Sequence, residues 1–378
     1  MKATHYDDTY DAFREQVRRF AREKVAPHAA RVDEEGQPPL QAYEASLELG
    51  LPGLPYAEEF GGMVGDVLTQ IITVEELARV CASTATTVST CWIMQLVQRF
   101  GSQAQKQMIL PPVIEGRERS AWGLTEPKGG SDLMGVTASA KRTAQGWLLN
   151  GTKRFITNGG WADWYLIFAR AEGERFGIFL VNRNDAGVSF GAPERKMGLR
   201  GSPTADVILE DCLIPLDRVI GEPGQGEAYI KAGLLASRLK YAAHGLGIAQ
   251  GALDEAVAYT QTRQQFGRPV ADFQMVKGMV ADMAMKVEAG RAVLMHAATL
   301  VLNNDPAARK YASMAKVLCT DAAVSVATDA VQLHGGYGYL KDYPVERMYR
   351  DAKVTQIWEG SNQIQRLMIA KEVFKGAA

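Results

Sequence analysis

Three long stretches in the C-terminal half leave this chain little choice but to bundle. Ile230 to Thr262 has few helix breakers apart from glycines. Phe273 to Leu302 is rich in methionine and alanine with its charges on one side, and Pro306 to Leu333 is rich in alanine. Each reads as a long helix, and small side chains favour close helix–helix packing. Residues 1–115 also read as helical: Phe13, Val17, Phe20 and Val25 recur at near-helical spacing among charges, and Pro27 closes that segment. Asp66 to Phe100 is apolar on more than one face, as a buried helix would be. Its small residues Thr87, Val88, Ser89, Thr90 and Cys91 leave room for a ligand or, equally, for another helix.

Near Ser120 the texture changes. From Trp122 to Pro215 helical periodicity fades, and short apolar, β-branched runs appear between turn signals. Trp147-Leu148-Leu149 leads into Asn150-Gly151, a hairpin signal. Tyr165 to Ala169 and Phe176 to Val181 read as neighbouring strands, and Ala205 to Leu209 as a later one. Helical character returns from Glu227, so the plan is α, then β, then α.

Composition narrows the partners. A chain of 378 residues that is 47% hydrophobic and 22% charged has the balance of a globular protein of two or three units. A net charge of -1 gives no reason to expect nucleic acid or an anionic membrane. No apolar run approaches the roughly 20 residues of a membrane helix, and Met1 to Asp8 holds no apolar signal core. The 4 cysteines and 5 histidines show no metal-ligand spacing, so no metal site is expected and a reducing, cytoplasmic setting is.

Five stretches carry candidate chemistry. In Gln356 to Gln365, Glu359 stands between Trp358 and Gly360 at a helix entrance. Trp358 and Ile357 can strip water from the acid, raising its pKa so that it can take a weakly acidic proton near neutral pH. Ser361 or Asn362 can cap the following helix. Read alone, the decapeptide is better accounted for by a capped helix with a solvated glutamate. In Trp122 to Asp132, the Thr125 and Ser131 hydroxyls and a glycine pair can wrap a heterocycle or pyrophosphate, or merely form a turn. In Lys153 to Gly160, Phe155 and Thr157 fall on one strand face and could lie against a flat ring, or mark a strand edge. Arg263 to Pro269 offers guanidiniums beside a turn, suited to pyrophosphate or to solvent. Gln332 to Tyr339 reads as a glycine-capped helix end able to approach a phosphate or adenine. No Rossmann or P-loop pattern is present.

In this order and spacing the five stretches resemble the acyl-CoA dehydrogenase family, of short-, medium- or branched-chain type, over nearly the whole chain. The resemblance implies an α+β multidomain fold: an N-terminal α-helical domain (1–117), a central β-barrel or β-sandwich domain (118–222) and a C-terminal four-helix bundle domain (223–378). It implies FAD as cofactor, a homo-oligomer of tetrameric type, and electron transfer to an electron-transfer flavoprotein. It makes Glu359 the base that removes the α-proton of an acyl-CoA as hydride leaves the β-carbon for flavin N5, giving a trans-2-enoyl-CoA. In some relatives the base stands on the helix at the place held here by Ser237. FAD contacts are implied for Trp122, Leu124, Thr125, Ser131, Phe155, Ile156, Thr157, Ser361 and Gln363. Across a subunit boundary they are implied for Arg263, Phe266, Gln274, Gln332, Gly335 and Gly336, and FAD contacts are also implied for Gln265, Phe273 and Leu333. Substrate contacts are implied for Ser131, Leu235, Arg238, Trp358 and Gly360. Phe155 replaces a commoner Trp, Trp358 a commoner Tyr, and Leu235 a commoner acid near the CoA adenine. That last departure leaves an acyl-carrier-protein thioester as an alternative substrate, beside an oxygen-using oxidase or monooxygenase on the same fold.

Overall fold

The computed structural model describes residues 6–171 and 175–375. Expectations placed on residues 1–5 and 376–378 lie outside the described residues. In chain order the elements are α1 (Asp8–Phe20), α2 (Ala29–Glu35), α3 (Leu40–Glu48), α4 (Val67–Ala78), α5 (Ala82–Thr90), α6 (Gln95–Phe100) and α7 (Gln103–Ile114). Then come β1 (Ser120–Gly123), β2 (Ser139–Arg142), β3 (Trp147–Thr157), β4 (Trp164–Ala171), β5 (Arg175–Asn182), β6 (Val188–Phe190) and β7 (Thr204–Ile214). The chain closes with α8 (Gly226–Thr262), the short pair β8 (Gln264–Gln265) and β9 (Arg268–Pro269), α9 (Gln274–Leu302), α10 (Ala308–His334), α11 (Val345–Thr355) and α12 (Asn362–Lys375). The α, β, α order read from the sequence is the order observed.

The stretch from Asp66 to Phe100 is not one helix. Asp66 caps α4 by accepting from Thr69 N–H at 2.9 Å. The helix then breaks at Cys81, whose backbone is extended. Arg347 of α11 donates to Val80 O at 3.2 Å, giving the broken end a partner. In α5 the hydroxyls of Thr86, Thr87, Ser89 and Thr90 each donate to the carbonyl one turn back. Such bonds compete with the helix ladder and suit short helices.

The β domain is one hydrogen-bonded network in the order β1-β4-β2-β3-β7-β6, with β5 also on β4. β1 and β2 run parallel to β4, and β5 runs antiparallel to it, as neighbours Tyr165–Ala169 and Phe176–Val181 were expected to be. Asn150-Gly151, however, turns no hairpin. The β2–β3 turn is closed earlier, by Thr143 N–H donating to Gly146 O at 2.8 Å. Asn150 instead exchanges side-chain bonds with Asp211 (3.0 and 2.8 Å) across a register shift where Gly151 and Asp211 both take positive φ. The permissive dipeptide serves a bulge rather than a turn. A second shift lies between Lys153 and Ile156, where Phe155 has φ +58°. Strand alternation therefore fails here: Phe155 is 58% exposed while Ile156 is buried.

Helix α10 packs against α8, α9, α11 and α12. α8 also carries α4, and contact there is close: a Cβ added at Gly251 would lie 2.1 Å from Arg79 O. Charged pairs tie the three parts together. Arg350 of α11 binds Asp33 at 2.6 Å and donates to Met197 O at 3.1 Å, while Asp351 accepts from Leu199 N–H at 2.6 Å. Among the described residues no helix is long and apolar enough to cross a membrane, and no cluster of His, Cys, Asp or Glu could hold a metal.

One buried ion pair shapes the loop between β1 and β2. Lys153 is fully buried on β3 and donates to Glu126 at 2.7 Å. The other Glu126 contacts are the Thr137 and Ala138 N–H groups and the Thr137 hydroxyl. Burial pushes the Glu126 pKa up, but the ammonium and these donors outweigh it and hold the group at about 2. With the folded pKa below the ordinary value of 4.5, the pair's stabilisation is complete above that value and is lost as pH falls towards 2. Glu126→Gln leaves Lys153 charged and buried, and should cost about 3–5 kcal/mol. Melting temperatures measured from pH 7 downwards check both: the variant melts lower at neutral pH, and the gap narrows in acid.

Candidate functional site

Glu359 ends a short loop between α11 and α12, with φ +54°, and Gly360 follows at +81°. Glycine takes positive φ freely, but a left-handed glutamate is costly unless its surroundings fix it. Several groups do so here. Lys316 of α10, fully buried, donates to Gly360 O at 3.1 Å and to Asn362 Oδ1 at 2.8 Å. Gln365 reaches back from α12 to Glu359 O (3.1 Å) and Gly360 O (3.2 Å). A Cβ at Gly360 would stand 2.7 Å from Gln365 Nε2. Ser361 caps α12 by accepting from Ile364 N–H at 3.4 Å, while Asn362 is occupied inside by Thr320 and Asp321. Of the two expected caps, Ser361 is the one used.

The turn aims the Glu359 carboxylate at α8. Ser237 Oγ donates to it at 2.5 Å. Burial raises the Glu359 pKa, opposed by the Ser237 hydroxyl and by the charges of Lys240, Lys316 and Arg238. Glu359 N–H meets no acceptor among the described residues. Residues 237, 241 and 244 share a face of α8, and Trp358 lies over that face. Its ring centroid is 4.6 Å from Tyr241 and 5.2 Å from His244, the latter edge-on. These rings, not Ile357, keep water from the acid; Ile357 points outward at 58% exposure. His244 Nε2 faces Thr86 Oγ1 at 3.1 Å and Ala82 O at 3.0 Å. Burial pulls the His244 pKa down to about 4, so the ring is neutral near neutral pH. Lys316 is likewise pulled down by burial, to about 8.

A second group gathers at the start of the sheet. Arg154 N–H donates to Thr125 O at 2.8 Å, joining the Trp122–Thr125 strand end to the Phe155–Thr157 bulge. Ile156 is buried, so any contact it makes outward is through its backbone. Ser131 stands exposed in the loop beyond. A third group surrounds the β8–β9 hairpin, whose turn residues Phe266 and Gly267 both have positive φ, as a two-residue hairpin requires. Arg263 lies 5.2 Å from the Tyr337 ring and forms no ion pair among the described residues. Phe266 meets Phe273 at 6.0 Å yet remains 92% exposed. Gln265, Gln274 and Gln332 are exposed, Leu333 is buried, and a Cβ at Gly335 or Gly336 would meet nothing within 4 Å. No hydrogen bond, ion pair or ring contact among the described residues links this third group to Glu359.

These groups suit a flavin dinucleotide. An apolar ring, hydroxyls and free backbone at the bulge match a flat heterocycle. An unpaired guanidinium with open glycines matches a pyrophosphate. Of the substrate-side expectations, Arg238, Trp358 and Gly360 surround Glu359, whereas Leu235 is only part-buried one turn along α8. Sequence reading missed Lys240, Tyr241, His244, Lys316 and Gln365. The available signal was a lysine inside an alanine-rich helix (Lys316), and three polar-tipped residues within about one turn of an apolar one (Lys240, Tyr241, His244).

The comparisons agree with this geometry. The chain matches the acyl-CoA dehydrogenase N-terminal domain over residues 7–117, the middle domain over 121–212 and the C-terminal domain over 224–374. It is 41% identical over 374 residues to the probable acyl-CoA dehydrogenase fadE25 of Mycobacterium bovis, covering 97% of this chain and 96% of that one. Butyryl-CoA dehydrogenase from Megasphaera elsdenii superposes with a TM-score of 0.94 at 37% identity, over 98% of this chain and 100% of the other. An acyl-CoA dehydrogenase complexed with FAD from Bacillus anthracis gives 0.91 at 30% identity, over 99% of this chain and 68% of that one. The chain belongs to the acyl-CoA dehydrogenase family. It is a flavoprotein oxidoreductase whose cofactor is FAD.

Lys316→Met would strip two hydrogen bonds from the Glu359–Asn362 turn. The expected loss is about 1–3 kcal/mol in stability, read as a lower melting temperature, with faster amide exchange at Ser361–Gln365 and little change at α1.

Proposed function

We propose that the protein converts an acyl-CoA to the trans-2-enoyl-CoA, with Glu359 taking the α-proton. One observation carries this reading: a desolvated carboxylate, held on a left-handed turn, stands beside its own unpaired N–H. An α-proton next to a thioester becomes acidic only when the carbonyl oxygen is polarised. The Glu359 N–H is free to donate to that oxygen while the Glu359 side chain accepts the proton. Ser237 orients the carboxylate, and Trp358 with Tyr241 and His244 excludes water. The charges of Lys240, Lys316 and Arg238 oppose the rise in its pKa that burial causes. FAD, when bound, supplies acceptance of the hydride leaving the β-carbon.

Trp122, Leu124, Thr125, Ser131, Phe155, Ile156, Thr157, Ser361 and Gln363 would hold FAD within one subunit. Arg263, Gln265, Phe266, Phe273, Gln274, Gln332, Leu333, Gly335 and Gly336 would hold it from a second, Ile156 and Leu333 through their backbones. The exposure of Phe266 (92%), Tyr339 (87%) and Met275 (84%) supports coverage by another copy, and we assign a homotetramer. Leu235, Arg238, Trp358 and Gly360 would contact substrate. Electron-transfer flavoprotein is the assigned acceptor. The four buried, unpaired cysteines accord with a reducing compartment, here the cytoplasm.

Anaerobic addition of acyl-CoAs to the yellow protein tests the reading: bleaching of the visible flavin band supports it. A flavin that no acyl-CoA bleaches would redirect it to a carrier-protein thioester or to oxygen chemistry. Glu359→Gln should retain FAD and fold while kcat falls by about 10²- to 10⁴-fold. Retained turnover would refute the base assignment. Ser237→Ala removes a donor that lowers the Glu359 pKa, so the acidic limb of the kcat/KM profile should move to higher pH.

A further inference from the structure

Three cations, Arg238, Lys240 and Lys316, act on the one carboxylate of this site, Glu359. Lys316 has a task that the turn explains, holding Gly360 O and Asn362, while Arg238 is buried with its Nη2 3.3 Å from the Met368 sulfur and its Nε without a partner. Lys240 has none of comparable weight. Its ammonium donates to Ser89 O at 3.1 Å, at the end of α5, and stands 4.6 Å from the Tyr241 ring. No Asp or Glu pairs with it among the described residues. An ammonium offers three donors, and two remain uncommitted.

The surroundings supply little to satisfy them. Tyr241, Trp358 and His244 present rings, and the α5 hydroxyls of Thr86, Thr87, Ser89 and Thr90 are already spent on carbonyls of their own helix. Trp358 Nε1, on an aromatic that packs against Tyr241, is a buried donor without a partner. A positive charge and an idle indole N–H around one ring, beside a base that acts on an acyl thioester, leave a charge of opposite sign to be brought by the ligand. A methyl-ended acyl chain would bury both donors unpaired, at a cost in binding.

We propose that Lys240 selects acyl thioesters whose acyl group carries a carboxylate at the end remote from the thioester. This rests on the thioester reading given above. Lys240 is a specificity residue here, beyond the effect of its charge on Glu359: its ammonium pairs with the remote carboxylate and Trp358 Nε1 adds a neutral hydrogen bond.

The test uses the FAD-loaded enzyme under anaerobic conditions, titrated with matched CoA thioesters: butanoyl, pentanoyl and hexanoyl against succinyl, glutaryl and adipyl. The wild type should bind and be bleached by one of the carboxylated series at lower concentration than by its methyl-ended counterpart. Lys240→Met should weaken that carboxylated ligand by roughly 10- to 100-fold relative to its methyl-ended counterpart, the worth of a charged hydrogen bond, whereas any change in turnover through the Glu359 pKa, which the Lys240 charge lowers, falls on both series alike. Lys240→Arg should restore most of the preference. Equal weakening of both series by Lys240→Met would mean that the lysine only caps α5, and would overturn the proposal. So would a wild-type preference for methyl-ended chains, a comparison that needs no variant to fold. A flavin bleached by neither series overturns the thioester reading and this one with it, whereas bleaching by methyl-ended chains alone removes only the role of Lys240.

Discussion

A lysine ammonium withdrawn from water needs protein acceptors in place of water, and two such ammoniums set the positions of the loops that carry the candidate site. Lys153 gathers Glu126 and Leu124 O, and so fixes the path of the chain leaving β1. Lys316 gathers Gly360 O and Asn362, and so fixes the left-handed turn bearing Glu359. Neither lysine touches solvent. Loss of either partner would strand a charge in low dielectric, so each loop is held by a penalty for leaving as much as by attraction for staying.

The scaffold supplies these lysines with rigid mounts. Lys316 stands on α10, the helix against which α8, α9, α11 and α12 all pack. Lys153 stands on β3, between two bulges that turn Phe155 outward and Ile156 inward. Arg350 and Asp351, adjacent on α11, lock that helix to Asp33 of the first helical part and to the backbone of Met197 and Leu199 in the β domain. The turn with Glu359 follows directly from α11, so the same lock that joins three parts of the chain also positions the carboxylate.

The long helices and the α, β, α order were legible because periodicity and breaker spacing report on local geometry. That Trp358 would help desolvate Glu359 was legible from their adjacency, whereas the decapeptide read alone suits a capped helix with a solvated acid at least as well. What escaped was set by tertiary partners. Asn150-Gly151 carries every local mark of a turn, yet the cross-strand exchange with Asp211 makes it a bulge. Asp66 to Phe100 is apolar on more than one face, and Arg347, distant in sequence, partners its break at Val80–Cys81. Ile357 and Trp358 are neighbours in sequence, but α8 offers rings to one and none to the other. Lys240 and Lys316 look like ordinary solvated lysines until their helices are packed.

The solvent-facing hairpin of Phe266 and Gly267 carries a consequence in terms of mass action. If a second copy covers it and lends Arg263 to the dinucleotide, the isolated chain owns only part of its cofactor site. Assembly and flavin retention are then one linked equilibrium. Dilution would release the flavin without altering a single contact within the subunit, and added flavin would draw dissociated chains back together.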